Sequence, residues 1–516
     1  MFARTYTAFL SGIQGRMTAV ETYISNGLPG FHIVGLTDTV IKESAERIRA
    51  AINSSNLGFP IRRIAVNLTP ADRRKSGGHY DLAVAMSLLK AAREDIDFVE
   101  EDFAFFGELS LDGSIRGVPG ILPLAMCAEE NDIKNIIVPE ENICEASFVK
   151  NSRVIGVSCL WDAIDAVKGR LSNMDSLGEI KNRKSKEEMS ELDFSQVFGQ
   201  ETAKRAALLA AAGGHDMLMM GSPGVGKSMI ARRLPGLLPA MTYEECREVT
   251  KIYSIAGLLD RERPAIFERP FRKPHGSVSR AALIGGGAKI RPGEISLAHL
   301  GVLFLDELNT FQNDCLEALR QPVEERKVQI IRNRESVVFP ADFILVCAVN
   351  PCPCGYLGND ERICQCTETQ ISSFRRKLSG PLLDRIDLHV TMAPVKYEEI
   401  GIRRNGMDTN TMKEKVLLAR RMQKERYGEN LLNGRLDDDL AREKIKLGKE
   451  EINFIKEAGA GFGMSARSLN KLIRIGRTVA DVEGSFDVKV EHLAEALSYR
   501  SFFDMYGSGE MSVKNR

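Results

Sequence analysis

Hydrophobic and polar positions alternate at the start of the chain and then repeat at helical spacing. Alternation over 5–10 and 17–24 predicts two strands, and apolar residues at positions 41, 45, 48 and 52 predict a helix. Four further elements follow, a strand over 61–68, helices over 81–92 and 121–130, and a strand over 135–138. The N-terminal 170 residues are therefore expected to form an α+β domain.

Beyond a polar, charge-dense stretch over 171–192, typical of a linker, an apolar run over 217–220 leads into a glycine-rich turn and then a helix. The turn consists of Gly221, Ser222, Pro223, Gly224, Val225, Gly226, Lys227 and Ser228. A turn of this pattern cradles phosphates with backbone N–H groups, so Lys227 is expected at the outer phosphates and Ser228 at Mg²⁺. The alternative is an ordinary glycine turn, which the strand-then-helix context disfavours.

Two later apolar runs end in polar side chains. The run 302–305 ends at Asp306 and Glu307, and 346–349 ends at Asn350. Ligands of open α/β sheets bind at the carboxyl ends of the strands, so Asp306 is expected to hold Mg²⁺ and Glu307 to polarise the attacking water. Asn350 is placed to orient water. An isolated acidic pair and an Asn-Pro turn are the alternatives.

The last part of the chain is helical in pattern, with helices expected over 413–427, 450–457, 468–482 and 490–499. The fold class predicted for the whole chain is thus α/β, with an α+β domain before the α/β core and a helical lid after it.

The composition limits the number of domains and the kinds of surface that the chain can form. With 516 residues, 43% of them hydrophobic and 27% charged, the chain is long enough for about three domains. Seventy basic residues balance seventy acidic ones, so any nucleic-acid surface must be a local patch. No apolar run reaches about 18 residues and no leader pattern is present at Met1, so a cytoplasmic protein is expected.

Four of the ten cysteines fall close together, at Cys352, Cys354, Cys364 and Cys366. Two C-x-C pairs can supply the four thiolates of a closed structural zinc site, which would brace the loop after Asn350. Free thiols and a redox pair are the alternatives.

The motifs together resemble the Mg-chelatase-like AAA+ family. The phosphate loop, the segment 193–200 before it, Ser379-Gly380-Pro381-Leu382-Leu383-Asp384-Arg385-Ile386-Asp387, and Ser465-Ala466-Arg467-Ser468-Leu469 carry the resemblance. It implies ATP and Mg²⁺ as cofactors and a homohexameric ring. It also implies that Asn350 is the sensor-1 residue, Arg385 the arginine finger offered to a neighbour, and Arg467 the sensor-2 arginine. Arg375 and Arg376 compete with Arg385 for the finger role.

The N-terminal part resembles the Lon-protease-like domain, through 107–113 and 136–142. His79 and Leu122 stand at the positions of the family's serine nucleophile and lysine base, so the protease dyad is absent, and Ser76 beside Lys75 is the alternative pair. Such a domain is expected to serve assembly or to bind a protein partner. The expected domains are 1–170 (Lon-like), 171–192 (linker), 193–393 (AAA+ core) and 394–516 (helical lid).

Two inserts, 269–299 and 328–338, resemble the pore hairpins of the same clade. In a ring their basic residues would repeat around the channel and form a cationic track for DNA. These residues are Lys289, Arg291, Arg332 and Arg334. Solvated hairpin tips are the alternative.

The resemblance implies a DNA translocase or helicase that promotes branch migration during recombination in natural transformation. The alternative is an ATP-driven motor that remodels a protein partner, of chelatase or chaperone type. A membrane role is not expected.

Overall fold

The structure is a computed structural model. It describes residues 1–35, 39–70, 75, 77–171, 192–260, 262–287, 290–332, 335–359, 362–376, 380–394, 408–428 and 431–500. Below, the described residues of 1–171 are called the N-terminal unit, those of 192–394 the central unit, and those of 408–500 the C-terminal unit.

The N-terminal unit is built on a mixed sheet. The strands of the unit are β1 (Phe2–Ser11), β2 (Gln14–Ser25), β3 (Gly30–Val34), β4 (Arg63–Thr69), β5 (Phe103–Phe105), β6 (Glu108–Leu109), β7 (Ile115–Arg116), β8 (Asn135–Pro139) and β9 (Arg153–Val157). The order in the sheet is β3-β4-β2-β1-β5-β8-β9, while β6 and β7 form a separate hairpin. Its helices are Thr39–Ser54, Asp81–Ala92, Ile121–Glu130, Ile143–Ala146 and Leu160–Val167.

A tight turn fixes the register of the first hairpin. β1 and β2 pair from Phe2 opposite Tyr23 to Ser11 opposite Gln14, and Gly12 in the turn has a φ of +69°. Glycine adopts this left-handed conformation without steric cost. The helix Asp81–Ala92 is buried nearly all round and packs on this hairpin, where Thr5 Oγ1 donates to the carbonyl of Ala83 at 2.9 Å.

The central unit contains a parallel five-stranded sheet in the order β11-β14-β17-β10-β18. The strands of this unit are β10 (Met217–Gly221), β11 (Phe271–Arg272), β12 (Gly285–Gly286), β13 (Arg291–Pro292), β14 (Val302–Leu305), β15 (Lys327–Arg332), β16 (Glu335–Pro340), β17 (Ile344–Val349) and β18 (Leu388–Met392). Its helices are Glu201–Gly213, Lys227–Leu237, Tyr243–Ala256, Arg280–Ile284, Glu294–Leu297, Asn313–Ala318, Arg320–Glu325, Glu368–Arg376 and Gly380–Leu383. β14 and β17 are buried along their whole length, as expected for strands covered on both faces. The predicted α/β fold class is confirmed.

The C-terminal unit is helical in its described residues. Its helices are Thr409–Tyr427, Asp438–Lys444, Lys449–Phe462, Ala466–Val482 and Val490–Ser498. The first begins four residues earlier than the sequence predicts, because Asp408 caps it by accepting from the backbone N–H of Thr411 at 2.7 Å. His215, just before β10, joins this unit to the central one. Its Nδ1 lies 2.9 Å from Asp387 Oδ2 and its Nε2 lies 2.7 Å from Thr478 Oγ1.

The N-terminal and central units meet through an apolar cluster, which consists of Leu122, Cys144, Phe148, Cys246 and Ala265. Two polar contacts flank it, from Tyr243 Oη to the carbonyl of Phe148 and from the N–H of Gly120 to the carbonyl of Ser254, both at 2.9 Å. Among the described helices, none has the length and apolar character needed to cross a membrane.

The two inserted hairpins pack against each other. β12 pairs with β13, and β15 pairs with β16. A Cβ atom at Gly285 would lie 3.0 Å from Ile330 Cδ1, and Arg332 donates to the carbonyl of Gly287. The second hairpin also touches the turn between β1 and β2, because a Cβ atom at Gly12 would lie 2.9 Å from Val337 Cγ1.

Candidate nucleotide site and its surroundings

The phosphate loop leaves the carboxyl end of β10 and enters the helix Lys227–Leu237. Gly224 and Gly226 have φ values of +84° and +98°, a region that favours glycine. Gly221 is required for a different reason, since a Cβ atom there would lie 2.5 Å from the carbonyl oxygen of Met392 on β18. The loop therefore lies at the carboxyl edge of the sheet and at the amino end of a helix, a position where backbone N–H groups bind phosphates.

Lys227 lies at the centre of the site. Its Nζ atom donates to the carbonyls of Gly221 and Ser222 at 2.5 and 3.0 Å and to Asn350 Oδ1 at 3.0 Å. Burial lowers the pKa of Lys227 from its usual value, although Asp306 and Glu307 act in the opposite direction. The ammonium group is thus held by neutral oxygens from two adjacent strand ends, where a phosphate can replace them.

Asp306 is the acidic partner of the loop. Ser228 Oγ donates to Asp306 Oδ2 at 3.1 Å. A serine hydroxyl and a carboxylate side by side are oxygen ligands of the kind that Mg²⁺ prefers. Lys273 Nζ lies 2.7 Å from the same carboxylate oxygen and balances its charge. Sequence reasoning missed Lys273, because nothing in its local pattern separates it from other basic residues of the insert.

Glu307 follows Asp306 in an unusual backbone conformation. Its φ and ψ are 50° and 56°, in the left-handed region that glutamate rarely adopts. The turn is held by Thr310, whose N–H and Oγ1 donate to the carbonyl of Glu307 at 2.7 and 2.8 Å. The side chain of Glu307 is exposed, and its charge acts on Lys227 at the same edge of the sheet.

Two further side chains support the loop and were missed. Gln200 Nε2 donates to the carbonyls of Val225 at 3.2 Å and Ala393 at 2.6 Å. Asn359 Nδ2 donates to Ser222 Oγ at 3.3 Å. Both contacts join residues that are far apart in sequence, so no local pattern could have indicated them.

Arg385 and Arg467 meet on one carboxylate. Arg385 lies 2.9 Å from Glu324 Oε2, and Arg467 pairs with the other oxygen of Glu324. Both arginines line a cavity of about 420 Å³ that also includes Asp216, Asp342 and Asp387. Arg467 is about two-fifths exposed at its side chain, so the cavity is open to solvent.

This cavity lies at the edge of the sheet opposite the phosphate loop. Asp216 and Asp387 immediately precede β10 and β18, and Asp342 stands two residues before β17. The phosphate loop, Asp306 and Asn350 instead follow the ends of their strands. A five-residue strand such as β10 separates the two edges by roughly 17 Å. Arg385 and Arg467 are therefore gathered together, but not beside the phosphate loop of their own chain.

The two other candidates for the arginine finger lie elsewhere. Arg375 and Arg376 end the helix Glu368–Arg376, which is tied to the segment after β14 by Asn309 Nδ2 donating to the carbonyl of Phe374 at 3.2 Å. This helix is thus anchored near the strand end that carries Asp306, and not in the cavity around Glu324.

The four clustered cysteines are brought together. The Sγ atoms of Cys352, Cys354, Cys364 and Cys366 all lie within 4.8 Å of one another. Such a set of four thiols is compatible with a structural zinc ion.

The residues at the positions of the protease dyad lie in different surroundings. Leu122 is fully buried in the apolar cluster between the two units, and His79 Nε2 lies 3.0 Å from the carbonyl of Ala8. Lys75 is buried and donates to the carbonyl of Pro70, while Ser76 lies outside the described residues.

Two of the four basic hairpin residues belong to the described part of the chain. Arg291 and Arg332 are exposed on the two packed hairpins. Lys289 and Arg334 lie outside the described residues.

Comparisons with known proteins place these observations in a family. Residues 193–400 match the family described as magnesium chelatase, subunit ChlI, 20–142 match subunit ChlI of Mg-chelatase, and 406–500 match its C-terminal family. YifB of Escherichia coli K12 is 39% identical over 502 residues, which cover 96% of each chain. The competence protein ComM of Haemophilus influenzae is 38% identical over 508 residues, or 97% of each chain. The magnesium-chelatase 38 kDa subunit of Cereibacter sphaeroides is 29% identical over 176 residues, covering 31% of this chain and 52% of that subunit.

Proposed function

Since the chain belongs to the Mg-chelatase-like AAA+ family, in the branch of YifB and ComM, we propose that it is an ATP-hydrolysing ring motor acting on DNA. Its activity would be translocation along branched or single-stranded DNA, to promote branch migration during recombination in natural transformation. The single observation that carries the motor activity is the meeting of Lys227, Asn350, Ser228 and Asp306 at one edge of the parallel sheet.

Each of these side chains has a role in ATP hydrolysis. The phosphate loop and Lys227 would hold the phosphates, and Ser228 with Asp306 would hold Mg²⁺. Binding of the ion would release Asp306 from Lys273, because the two cations compete for one carboxylate oxygen. Glu307 would polarise the attacking water, and Asn350 would position it.

The location of Arg385 and Arg467 supports a homohexameric ring. They lie at the strand edge opposite their own phosphate loop, so a nucleotide they reach belongs to a neighbouring copy. In a head-to-tail ring every phosphate loop faces the opposite surface of the next chain. An arginine supplied in this way can raise the rate of hydrolysis by roughly 10³ to 10⁵.

The packed hairpins support DNA as the substrate. Arg291 and Arg332 are exposed on one joined structure, and Lys289 and Arg334 belong to the same two loops. In a ring these residues would repeat around the channel and attract a phosphate backbone despite the zero net charge of the chain.

We extend the proposal to the remaining features of the chain. The domains are 1–170, 171–192, 193–393 and 394–516, and the protein works in the cytoplasm. Structural Zn²⁺ accompanies ATP and Mg²⁺ as a cofactor, held by the four clustered cysteines. The N-terminal unit is the surface for a protein partner.

ATP hydrolysis measured with and without forked DNA tests this function, together with the mass of the nucleotide-bound assembly. Forked DNA should stimulate hydrolysis, the effect should weaken steeply with salt, and the mass should correspond to six chains. The variant Glu307→Gln should bind ATP and form the ring but barely hydrolyse it. Glu457→Gln, an exposed glutamate on the helix Lys449–Phe462, is the matched control.

Stimulation by a protein and not by DNA would favour the alternative, a motor that remodels a protein partner. Full hydrolysis by Glu307→Gln would remove that residue from catalysis.

A further inference from the structure

The four cysteine sulfurs have the spacing of metal ligands. Cys352 Sγ lies 3.4 Å from Cys354 Sγ and 3.6 Å from Cys364 Sγ, and Cys354 Sγ lies 3.6 Å from Cys364 Sγ. A zinc ion with four thiolates at about 2.3 Å holds its sulfurs about 3.8 Å apart, whereas a disulfide bond is only about 2.05 Å long. In addition, the backbone N–H of Cys354 donates to Cys366 Sγ at 3.4 Å. Hydrogen bonds to a ligand atom orient it toward a metal.

The loop that carries these sulfurs is irregular, and its own hydrogen bonds are local ones, such as those from the Gly355 N–H to the carbonyl of Cys352 and from Arg362 Nη1 to Tyr356 Oη. Its described residues between β17 and the helix Glu368–Arg376 form neither strand nor helix. Ile363, a large apolar side chain of the loop, is 91% exposed, so it adds nothing to a core. A metal cross-link at four points would add to these local contacts, since it offsets the conformational entropy of an irregular chain.

The same loop lies directly on the phosphate loop. A Cβ atom at Gly355 would stand 2.5 Å from Pro223 Cδ and 2.9 Å from its Cγ, so the backbone of Gly355 lies close against the Pro223 ring. Gly355 also has a φ of +84°, and Asn359 Nδ2 reaches Ser222 Oγ at 3.3 Å. Pro223 and Ser222 belong to the turn whose backbone groups face the phosphates.

We infer that a thiophilic divalent metal, held by Cys352, Cys354, Cys364 and Cys366, braces the phosphate loop and sets the affinity of the site for nucleotide. The inference rests on the proposed nucleotide function of that loop. With the metal, the contact surfaces around Gly355 and Asn359 stay in place against Pro223 and Ser222. Without the metal, the segment loses its cross-link, and the phosphate loop loses the support of these contacts.

Zinc content and nucleotide affinity, measured on the full chain, test the inference. Zinc is measured by elemental analysis after mild purification, and affinity by titration with a slowly hydrolysed fluorescent ATP analogue. The native protein should hold about one zinc per chain. The double variant Cys354→Ser with Cys366→Ser should hold less than about 0.2 and bind nucleotide about tenfold more weakly.

Two further variants separate the brace from general damage. Cys159→Ser alters a cysteine that precedes the helix Leu160–Val167, outside the cluster, and should keep native zinc and affinity. Gly355→Ala keeps all four ligands but collides with Pro223, so it should retain zinc and still bind nucleotide about tenfold more weakly. Circular dichroism checks that every variant is folded.

The outcomes distinguish this inference from the function on which it rests. Less than about 0.2 zinc per native chain overturns the metal site. Native affinity in the zinc-free double variant, or in Gly355→Ala, overturns the brace. A native protein that holds zinc but binds no nucleotide refutes the proposed function and the brace with it, and leaves the metal site standing.

Discussion

A buried carboxyl group, that of Glu145, lies where the N-terminal and central units meet. It accepts from Asn142 Nδ2 at 2.6 Å and from the backbone N–H of Leu122 at 3.3 Å. Burial raises the pKa of Glu145 to about 7, although these hydrogen bonds act in the opposite direction. The ionised form is therefore disfavoured at this junction.

The raised pKa predicts how stability changes with pH. The folded protein keeps the Glu145 proton up to a pKa of about 7, whereas an unfolded glutamate loses it near 4.5. The folded state thus binds more protons than the unfolded state between these two pH values. The contribution of Glu145 to the free energy of unfolding therefore falls by about 3 kcal/mol as pH rises through this window. Glu145→Gln should flatten the pH dependence of thermal unfolding and raise the melting temperature at pH 8.

Glu141→Gln is the matched control, because Glu141 is an exposed glutamate in the same region, and it should leave the pH dependence unchanged. A native pH profile in Glu145→Gln would assign the titration to another group.

At the same scale, the sequence predicted individual strand ends better than it predicted contacts. Asp306 and Asn350 follow apolar runs that the structure shows as β14 and β17, because an apolar run ending in a polar residue is a local signal. The ion pairs of Glu324 with Arg385 and Arg467 join three distant positions, and no local pattern encodes such a meeting.

Among the elements, those with strong periodicity were predicted and the weak ones were missed. The helix Ala466–Val482 follows a helical apolar pattern and the helix Asp81–Ala92 a nearly continuous apolar run, and their predicted bounds are correct within two residues. β3 and β9 were not predicted. β3 is short and has no fully buried residue, and it exists because it pairs with β4 some thirty residues later, from Gly30 opposite Arg63. Tertiary pairing, and not local preference, forms such a strand.

The two hairpins pack together as one element, and the proposed DNA function then predicts the effect of removing their arginines. β12–β13 rests on Ile330 of β15, so Arg291 and Arg332 are displayed on a shared support. The double variant Arg291→Ala with Arg332→Ala should bind forked DNA more weakly and lose stimulation of ATP hydrolysis. The slope of log affinity against log salt should become shallower, by about one unit for each lost phosphate contact.

A second double variant, Arg421→Ala with Lys424→Ala, removes equal charge from an exposed face of the helix Thr409–Tyr427. Its salt slope should match that of the native protein. Equal slopes for both double variants would place the DNA track away from the hairpins.

For the molecule as a whole, the important feature is that each chain carries two groups of proposed site residues at opposite edges of one sheet. Lys227 and Asp306 lie at the carboxyl edge, and Arg385 and Arg467 lie at the amino edge with Glu324 as their partner. Glu324 keeps both guanidinium groups paired in the isolated chain. A neighbour's nucleotide would compete with this carboxylate for the same arginines.

This division predicts recovery of activity when two inactive proteins are mixed. Lys227→Ala removes the lysine of the phosphate loop but keeps the arginines, whereas Arg385→Ala keeps the phosphate loop but removes the proposed arginine finger. In a mixed head-to-tail ring, the site between two chains is complete when an Arg385→Ala chain supplies the phosphate loop and a Lys227→Ala neighbour supplies Arg385. Random mixing in equal amounts makes roughly a quarter of the junctions of this kind, so roughly a quarter of the native hydrolysis rate should return.

The recovered hydrolysis rate should follow the product of the fractions of the two variants in the mixture and should peak at equal amounts. Each complete site needs one chain of each variant. Mixing Lys227→Ala with the double variant Lys227→Ala, Arg385→Ala is the control, since no chain in that mixture offers an intact loop. If hydrolysis fails to return at every ratio although mixed rings are seen by mass, the site is complete within one chain. The arginines around Glu324 would then stabilise the contact between the central and C-terminal units instead of completing a neighbour's site.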